Sequence, residues 1–227
     1  MTADQTATVE WRDGGTPVSV RFDDPYFSVQ DGYAETRHVF LSGNDLPARF
    51  RPGFRIAELG FGTGLNLLAT AATLRAKAAS GTISYTSFEA YPLSPTDIRL
   101  ALTDFPIPQH LVDTFLAAWD RGERAFSLPG VSITIIEGDV RQSLPRWQGK
   151  ADAWFLDGFS PAKNPEMWET ALMAEVAGHT APGGTFATYS AAGHIRRSLA
   201  RAGFEVQRVP GFGRKRHMTI GRLKEPA

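Results

Sequence analysis

From Phe54 to Gly203 short apolar runs of β-type residues alternate with longer runs at helical spacing, and few architectures accept that alternation. Arg55 to Leu59, Ile83 to Phe88, Val131 to Ile136, Ala151 to Leu156 and Gly184 to Tyr189 read as strands. Asn66 to Ala78, a helix opened by Ser94-Pro95-Thr96-Asp97, one capped by Asn164-Pro165 and reaching about Gly178, and Ile195 to Ala202 read as helices. Ser94 is a good cap, Pro95 suits the first helical position, and Asp97 stands where an acid favours a helix start. Strands alternating with helices build a mostly parallel sheet covered on both faces. Phe105 to Phe126, apolar at roughly helical spacing, reads as an insertion. The final strand patterns, Glu205 to Val209 and His217 to Leu223, are split only by a Pro/Gly-rich loop. A parallel crossover needs a dozen or more residues, so this pair must be antiparallel. The expectation is an α/β fold with a seven-stranded, mostly parallel sheet closed by an antiparallel hairpin.

Ahead of this region, Thr8 to Trp11 and Pro17 to Phe22 alternate around Asp13-Gly14-Gly15, which signals a hairpin. The loop Asp23 to Ser28, the segment Glu35 to Leu41 and the turn Ser42-Gly43-Asn44 follow. Residues 1–50 therefore read as a small hairpin and cap packed on a main domain of residues 51–227, with enough apolar residues for one core. The chain has no cysteine, which excludes disulfides, thiolate metal sites and a cysteine nucleophile. Its histidines (His38, His110, His179, His194 and His217) are scattered without metal-ligand pairing, so no metal is expected. No apolar stretch approaches a membrane span and the first five residues lack a signal pattern, so a cytoplasmic protein with no membrane partner is expected. Lys plus Arg and Asp plus Glu both number 24, a balance that speaks mildly against nucleic acid. The basic residues nonetheless gather late, in Arg196-Arg197, Arg201, Arg208 and Arg214-Lys215-Arg216.

The sharpest short motif is Glu58-Leu59-Gly60-Phe61-Gly62-Thr63-Gly64, at the end of the first strand of the alternating region. Glycines there let the backbone turn tightly and approach a ligand that a Cβ would repel. A phosphate-binding loop needs Lys and Ser or Thr after its glycines, and Leu65-Asn66 follows instead. A dinucleotide site wants two residues between its second and third glycine, where this turn has one. Acid-x-Gly-x-Gly-x-Gly is the spacing of S-adenosylmethionine sites, and a plain turn is the remaining alternative. Two further acids favour the cofactor. Glu89 ends the second of these strands, where a carboxylate can take ribose hydroxyls, and Asp139, between Gly138 and Val140, can meet an adenine amino group. Glu58, Gly60, Phe61, Gly62, Thr63, Gly64, Asn66, Glu89, Gly138, Asp139, Val140 and Asp157 are thus the candidate cofactor residues, in a Rossmann-like class I methyltransferase fold.

Asp157-Gly158-Phe159-Ser160-Pro161 follows the fourth strand of the region, where the methyl group would emerge. It resembles the Asp/Asn-Pro-Pro-aromatic turn of amino methyltransferases, in which a polar side chain positions an amine and a ring stacks on the base. An alkylamine has a pKa of about 10, so at neutral pH it is mostly protonated and inert. Asp157 can accept its hydrogen bond and proton, with much of the rate coming from positioning. Gly158-Phe159-Ser160 lacks the second Gly of a nucleophile elbow, which leaves little room for a serine hydrolase.

Asp152-Ala-Trp-Phe-Leu-Asp157-Gly-Phe-Ser-Pro-Ala-Lys-Asn-Pro-Glu-Met-Trp168 is similar to the signature of the tRNA 5-methylaminomethyl-2-thiouridine methyltransferases. Gly60 to Asn66, Asp24 to Ser28, Val39 to Asn44 and Gly211 to Arg216 carry the same resemblance, which extends from about Asp24 to Gly221. It implies methyl transfer from S-adenosylmethionine, with S-adenosylhomocysteine as product, to the aminomethyl nitrogen at C5 of the tRNA wobble uridine. It also implies that Asp157 and Phe159 are the catalytic carboxylate and base-facing ring, and makes Lys163, Arg214, Lys215 and Arg216 candidate tRNA contacts. A solvated hairpin tip is the plain alternative for the basic run. Many members fuse this domain to a flavin-dependent oxidase. No second dinucleotide motif precedes Ala227, so no flavin is expected; the sequence is either a fragment of such a protein or a stand-alone enzyme that depends on another enzyme for its aminomethyl substrate. Methylation of a small amine or protein lysine, and an RNA-binding module without catalysis, are the competing functions.

Overall fold

A computed structural model describes residues 6–12, 15–77 and 81–224. The strands β1 (Val9–Arg12), β2 (Thr16–Ser19) and β3 (Asp24–Pro25) form a small antiparallel sheet. Residues 13 and 14 of the expected hairpin turn, the first five residues and the expected helix end at Ala78 lie outside the described residues. Helix α1 (Gly32–Thr36) starts where the Asp31 side chain accepts the Ala34 N–H, and continues as a widened turn over Arg37–Leu41. The order is then β4 (Arg55–Leu59), α2 (Leu65–Ala76), β5 (Ile83–Glu89), α3 (Pro95–Leu102), α4 (Gln109–Asp120), β6 (Ala125–Leu128), β7 (Val131–Glu137) and α5 (Val140–Ser143). The chain continues with β8 (Ala151–Leu156), α6 (Thr170–Gly178), β9 (Thr180–Thr188), α7 (Gly193–Arg201), β10 (Phe204–Pro210) and β11 (His217–Leu223).

The main sheet has eight strands in the order β10-β11-β9-β8-β4-β5-β7-β6. Strands β7, β5, β4, β8 and β9 run parallel, and β11 and β10 close one edge as the expected antiparallel pair. The eighth strand corrects the sequence expectation of seven. Part of the apolar insertion is β6, paired antiparallel with β7 through a turn at Gly130, whose φ is +79°. Four residues are too few to show alternation beside an apolar helix, which hid this strand. The stretch after Asn164 also differs: a 3-10 turn over Pro165–Trp168 precedes α6, and Asn164 makes no side-chain cap. At α3 the expectation holds, with Ser94 accepting the Asp97 N–H and Pro95 in the first turn.

Apolar layers cover both faces of the sheet. Leu67 and Leu68 of α2 and Leu111 and Phe115 of α4 pack with Val39, Leu46, Tyr85 and Phe155 in one cluster. Leu172 and Met173 of α6 and Ile195 and Leu199 of α7 pack with Trp154 and Phe186 in the other. Residues of the N-terminal fifty therefore share a core with the sheet. The segment Ser42 to Phe50 is further pinned where the β8–β9 register shifts between Ala151 and Ala153. There Arg49 donates to the Asp152 carbonyl at 2.9 Å and Asn44 Nδ2 to the Trp154 carbonyl at 3.2 Å. Buried carbonyls left unpaired would each cost about 1–3 kcal/mol, which gives the Val39 to Asn44 motif a structural role. Among the described residues, no helix is long and apolar enough to cross a membrane.

What positions the site is the change of direction at β4. The chain proceeds from β4 to β5 on one side, while β8 joins β4 on the other. The crossovers diverge there and leave a crevice at the carboxyl ends of the strands, where open α/β sheets bind ligands. The glycine turn, Glu89, Asp139, Asp157 and Tyr189 all sit at or just beyond those ends.

Candidate active site

The glycine turn leaves β4 through residues that only glycine fits well. Gly60, Gly62 and Gly64 have φ of +85°, +53° and +77°. A Cβ on Gly60 would lie 2.5 Å from the Asp157 carbonyl oxygen, so the turn and the end of β8 touch backbone to backbone. The Gly60 N–H donates to the Phe88 carbonyl at 2.9 Å, and the Gly62 N–H to Glu89 Oε2 at 2.9 Å. Tyr91 N–H donates to the other Glu89 oxygen at 2.8 Å, fixing that carboxylate at the wall of the crevice. Burial pushes the Glu89 carboxyl up, and these backbone donors oppose it.

The crevice is a cavity of about 550 Å³. Gly60, Phe61, Gly62, Thr63, Asn66, Glu89, Gly138, Asp139, Val140, Asp157 and Phe159 line it. It is completed by residues distant in the chain that the sequence reading did not single out: Phe22, Tyr26, Glu35 and Tyr189.

Asp157 stands at the centre of a hydrogen-bonded chain. Its Oδ2 accepts from Asn66 Nδ2 at 2.7 Å, and the same Nδ2 donates to Glu58 Oε1 at 2.8 Å. Asn66 Oδ1 accepts from the Thr36 hydroxyl at 2.9 Å, and Ser87 Oγ donates to Glu58 Oε2 at 2.7 Å. Burial pushes the Asp157 carboxyl up to about 7, and the charge of Glu35 adds to the rise, while the Asn66 bond and Lys215 hold it down. Burial likewise pushes Glu58 up to about 8.

The turn after Asp157 is held from several sides. Tyr189 Oη donates to the Gly158 carbonyl at 2.6 Å, Trp168 Nε1 to the Phe159 carbonyl at 2.9 Å, and the Ser160 N–H to Asp24 Oδ2 at 2.7 Å. The Phe159 ring stacks on Phe22 at 4.7 Å between centroids and meets the edge of Tyr26 at 5.1 Å. An anchored carboxylate therefore adjoins an aromatic wall, an arrangement suited to a flat ring that carries an amine.

Several expected residues stand elsewhere than their motifs suggest. Glu58 is fully buried beneath the cavity, with both oxygens engaged by Ser87 and Asn66, so it supports the wall rather than facing a ligand. Gly64 caps α2 and abuts Phe115. The Asp139 carboxylate caps α5 and pairs with Arg141 at 2.7 Å, and the Arg141 hydrogen bond holds it below the ordinary carboxyl range. Lys163 lies outside the cavity lining, paired with Asp23 at 2.7 Å. Lys215 stays half-exposed at the cavity rim, bonding Glu35 at 2.9 Å and lying 4.2 Å from the Tyr189 ring centre. Arg214 lines the cavity, while Arg216 is exposed and outside the lining. No local pattern marks Glu35 or Tyr189, whereas Tyr26 belongs to the Asp24 to Ser28 motif.

Comparison with known proteins adds three findings. A family model described as S-adenosyl-L-methionine-dependent methyltransferase matches residues 105–224. The chain is 44% identical over 231 residues to the tRNA 5-methylaminomethyl-2-thiouridine biosynthesis bifunctional protein MnmC of Chromobacterium violaceum, covering 97% of this chain and 35% of that protein. With the protein of that name from Pseudomonas aeruginosa the identity is 42%, covering 98% of this chain and 36% of the relative. The chain thus spans about a third of the length of these curated relatives. The crystal structure of MnmC2 from Aquifex aeolicus superposes with a TM-score of 0.78 at 25% identity, covering all of this chain and 73% of that one.

Proposed function

The chain belongs to the S-adenosyl-L-methionine-dependent methyltransferases, and from that premise we propose that it methylates the aminomethyl nitrogen at C5 of the tRNA wobble uridine, giving 5-methylaminomethyl(-2-thio)uridine. The observation that carries the reading is the Asp157 carboxylate, raised to about 7 and held at the open end of the sheet beside an aromatic wall. The names of the relatives, which concern this uridine in tRNA, point to the same acceptor.

The residues present fit the cofactor. Gly60 and Gly62 bring backbone without a Cβ to the crevice, and Glu89 offers a carboxylate to ribose hydroxyls. Gly138, Asp139 and Val140 line the same cavity where an adenine edge would rest. When bound, S-adenosylmethionine supplies the activated methyl group. Everything else falls to the chain's own groups.

The acceptor amine has to lose a proton before its lone pair is usable. An alkylammonium near pKa 10 and a carboxyl near 3.8 differ by about six pH units. With Asp157 near 7 the gap falls to about three, a roughly thousandfold better match for proton transfer. Glu35, paired with Lys215, closes one side of the cavity, and Phe159, Phe22 and Tyr26 form the surface against which the base rests. Exclusion of water by that surface and fixed placement of the nitrogen supply the remaining advantage. This reading sets the reaction in the cytoplasm, downstream of an enzyme that installs the aminomethyl group.

The test is to incubate purified protein with labelled cofactor and tRNA bearing 5-aminomethyluridine, then digest to nucleosides. Label is expected in 5-methylaminomethyl nucleosides. Label elsewhere only, or methylation of free amines without tRNA, would refute the assignment.

A further inference from the structure

Asn66 reads from the sequence as a cofactor contact, yet its carboxamide is wholly engaged by the protein. Both nitrogen-bound hydrogens have acceptors, Glu58 Oε1 at 2.8 Å and Asp157 Oδ2 at 2.7 Å, and its oxygen takes the Thr36 hydroxyl at 2.9 Å. With both carboxylates ionised these contacts permit one orientation, since turning the amide over would set its oxygen against two carboxylate oxygens and remove both donors. Asn66, Thr36 and Glu58 are all buried, so water cannot take over these bonds cheaply.

The consequence lies at the atoms of Asp157. Oδ2 is committed to Asn66, the Gly158 backbone N–H also donates to the carboxylate, and among the described residues no side chain donates to Oδ1. We propose that Asn66, locked by Thr36 and Glu58, is a positioning residue that presents Oδ1 of Asp157 as the atom taking the proton of the substrate ammonium. This rests on the alkylamine acceptor proposed above. In the step an N–H bond of the ammonium breaks, its electron pair stays on nitrogen, and an O–H bond forms on Oδ1. Oδ2 keeps its bond to Asn66 before and after, so the carboxyl group does not rotate as it gains the proton.

Other groups bear on the same carboxylate and set what a change at Asn66 can do. Glu58 faces it from β4, Tyr85 from β5, Glu35 from α1, Tyr189 from beyond β9 and Lys215 from the turn before β11. Of these, Lys215 favours the ionised form and both glutamates oppose it. Asn66 supplies a neutral donor that favours ionisation without adding a charge to compete with the incoming ammonium.

Two measurements test this. One is a carboxyl carbon NMR titration of Asp157 in cofactor-free protein; the other is the pH dependence of kcat with aminomethyl tRNA. Asn66→Ala should raise the Asp157 midpoint by about one pH unit and move the acid limb of kcat equally. Thr36→Val, which removes the hydroxyl bond to Asn66 at the cavity wall and makes no hydrogen bond to Asp157, should shift both in the same direction by less, and Thr36→Ser should restore wild-type values. S-adenosylmethionine affinity should stay within about twofold throughout. Unmoved midpoints in Asn66→Ala and Thr36→Val would overturn the proposal, as would lost cofactor affinity with an unmoved midpoint, which would return Asn66 to the cofactor. Shifted midpoints with no methylation of aminomethyl tRNA by wild type would refute the substrate reading and, with it, Oδ1 as acceptor of that proton.

Discussion

Replacing Asp157 with Asn should make the protein inactive and more stable at the same time. The folded state raises this carboxyl from 3.8 to about 7, a displacement of about three pH units. At about 1.4 kcal/mol per unit, ionising it in place costs ~4 kcal/mol more than in the unfolded chain. Because Asp157 faces a cavity that admits water, screening reduces this to about 2 kcal/mol. The sign follows from proton binding. Between pH 3.8 and 7 the folded state keeps a proton that the unfolded chain releases, so wild-type stability falls as pH rises through that window. Above it the penalty is complete. In the variant the oxygen of the new carboxamide would still accept from Asn66, and its nitrogen would face the cavity, so the substitution removes the charge with little lost contact. Urea denaturation followed by tryptophan fluorescence should show Asp157→Asn more stable than wild type by about 2 kcal/mol at pH 8 and by under about 1 kcal/mol at pH 5. A variant that is no more stable at pH 8, or whose gain is independent of pH, would show that this carboxyl is not held out of its ordinary range.

Gly60→Ala should cost at least about 2 kcal/mol and abolish cofactor binding, since its Cβ would meet a backbone oxygen at 2.5 Å at a left-handed φ; thermal melting and calorimetry would show it, and a wild-type melt would contradict the close approach. Glu89→Gln should weaken S-adenosylmethionine binding by about tenfold and cost about 1 kcal/mol of stability, because one side-chain oxygen remains for the Gly62 N–H while the new amide nitrogen meets the Tyr91 N–H; unchanged calorimetric affinity would remove Glu89 from the cofactor site. Arg214→Ala should lower tRNA affinity and reduce the salt slope by about one, whereas Lys163→Ala should do less because Asp23 already neutralises that lysine. Equal slopes for the two variants would mean that ion pairing on the surface does not decide which cation meets phosphate.

The parallel centre of the sheet is legible in the sequence because its cues are local. A buried strand, a glycine turn and a helix follow one another within the span from Arg55 to Ala76. Asp157, Glu89 and the glycine turn are legible for the same reason, since each terminates a strand at the same edge. Glu58 shows the limit of such reasoning: four consecutive buried positions from Ile56 to Leu59 carry no alternation, so spacing alone does not tell which way its side chain goes. Lys215 shows another. In a basic run a lysine resembles a solvated charge, and only the fold brings Glu35 within 2.9 Å of it. The short β6 strand is invisible because its pairing partner, rather than its own composition, makes it a strand.

The Lys215–Glu35 contact joins residues 180 positions apart, and His38 Nε2 meets the Pro210 carbonyl beside it at 3.2 Å. Adjoining parts of the chamber wall thus come from early and late parts of the polypeptide. A nascent chain could complete most of its parallel strands on the ribosome and still have no acceptor pocket. Turnover is therefore a stricter gauge of complete folding than helix content or core burial, and a fragment that retains every strand-end acid but lacks either part of that wall should fold in part and methylate nothing.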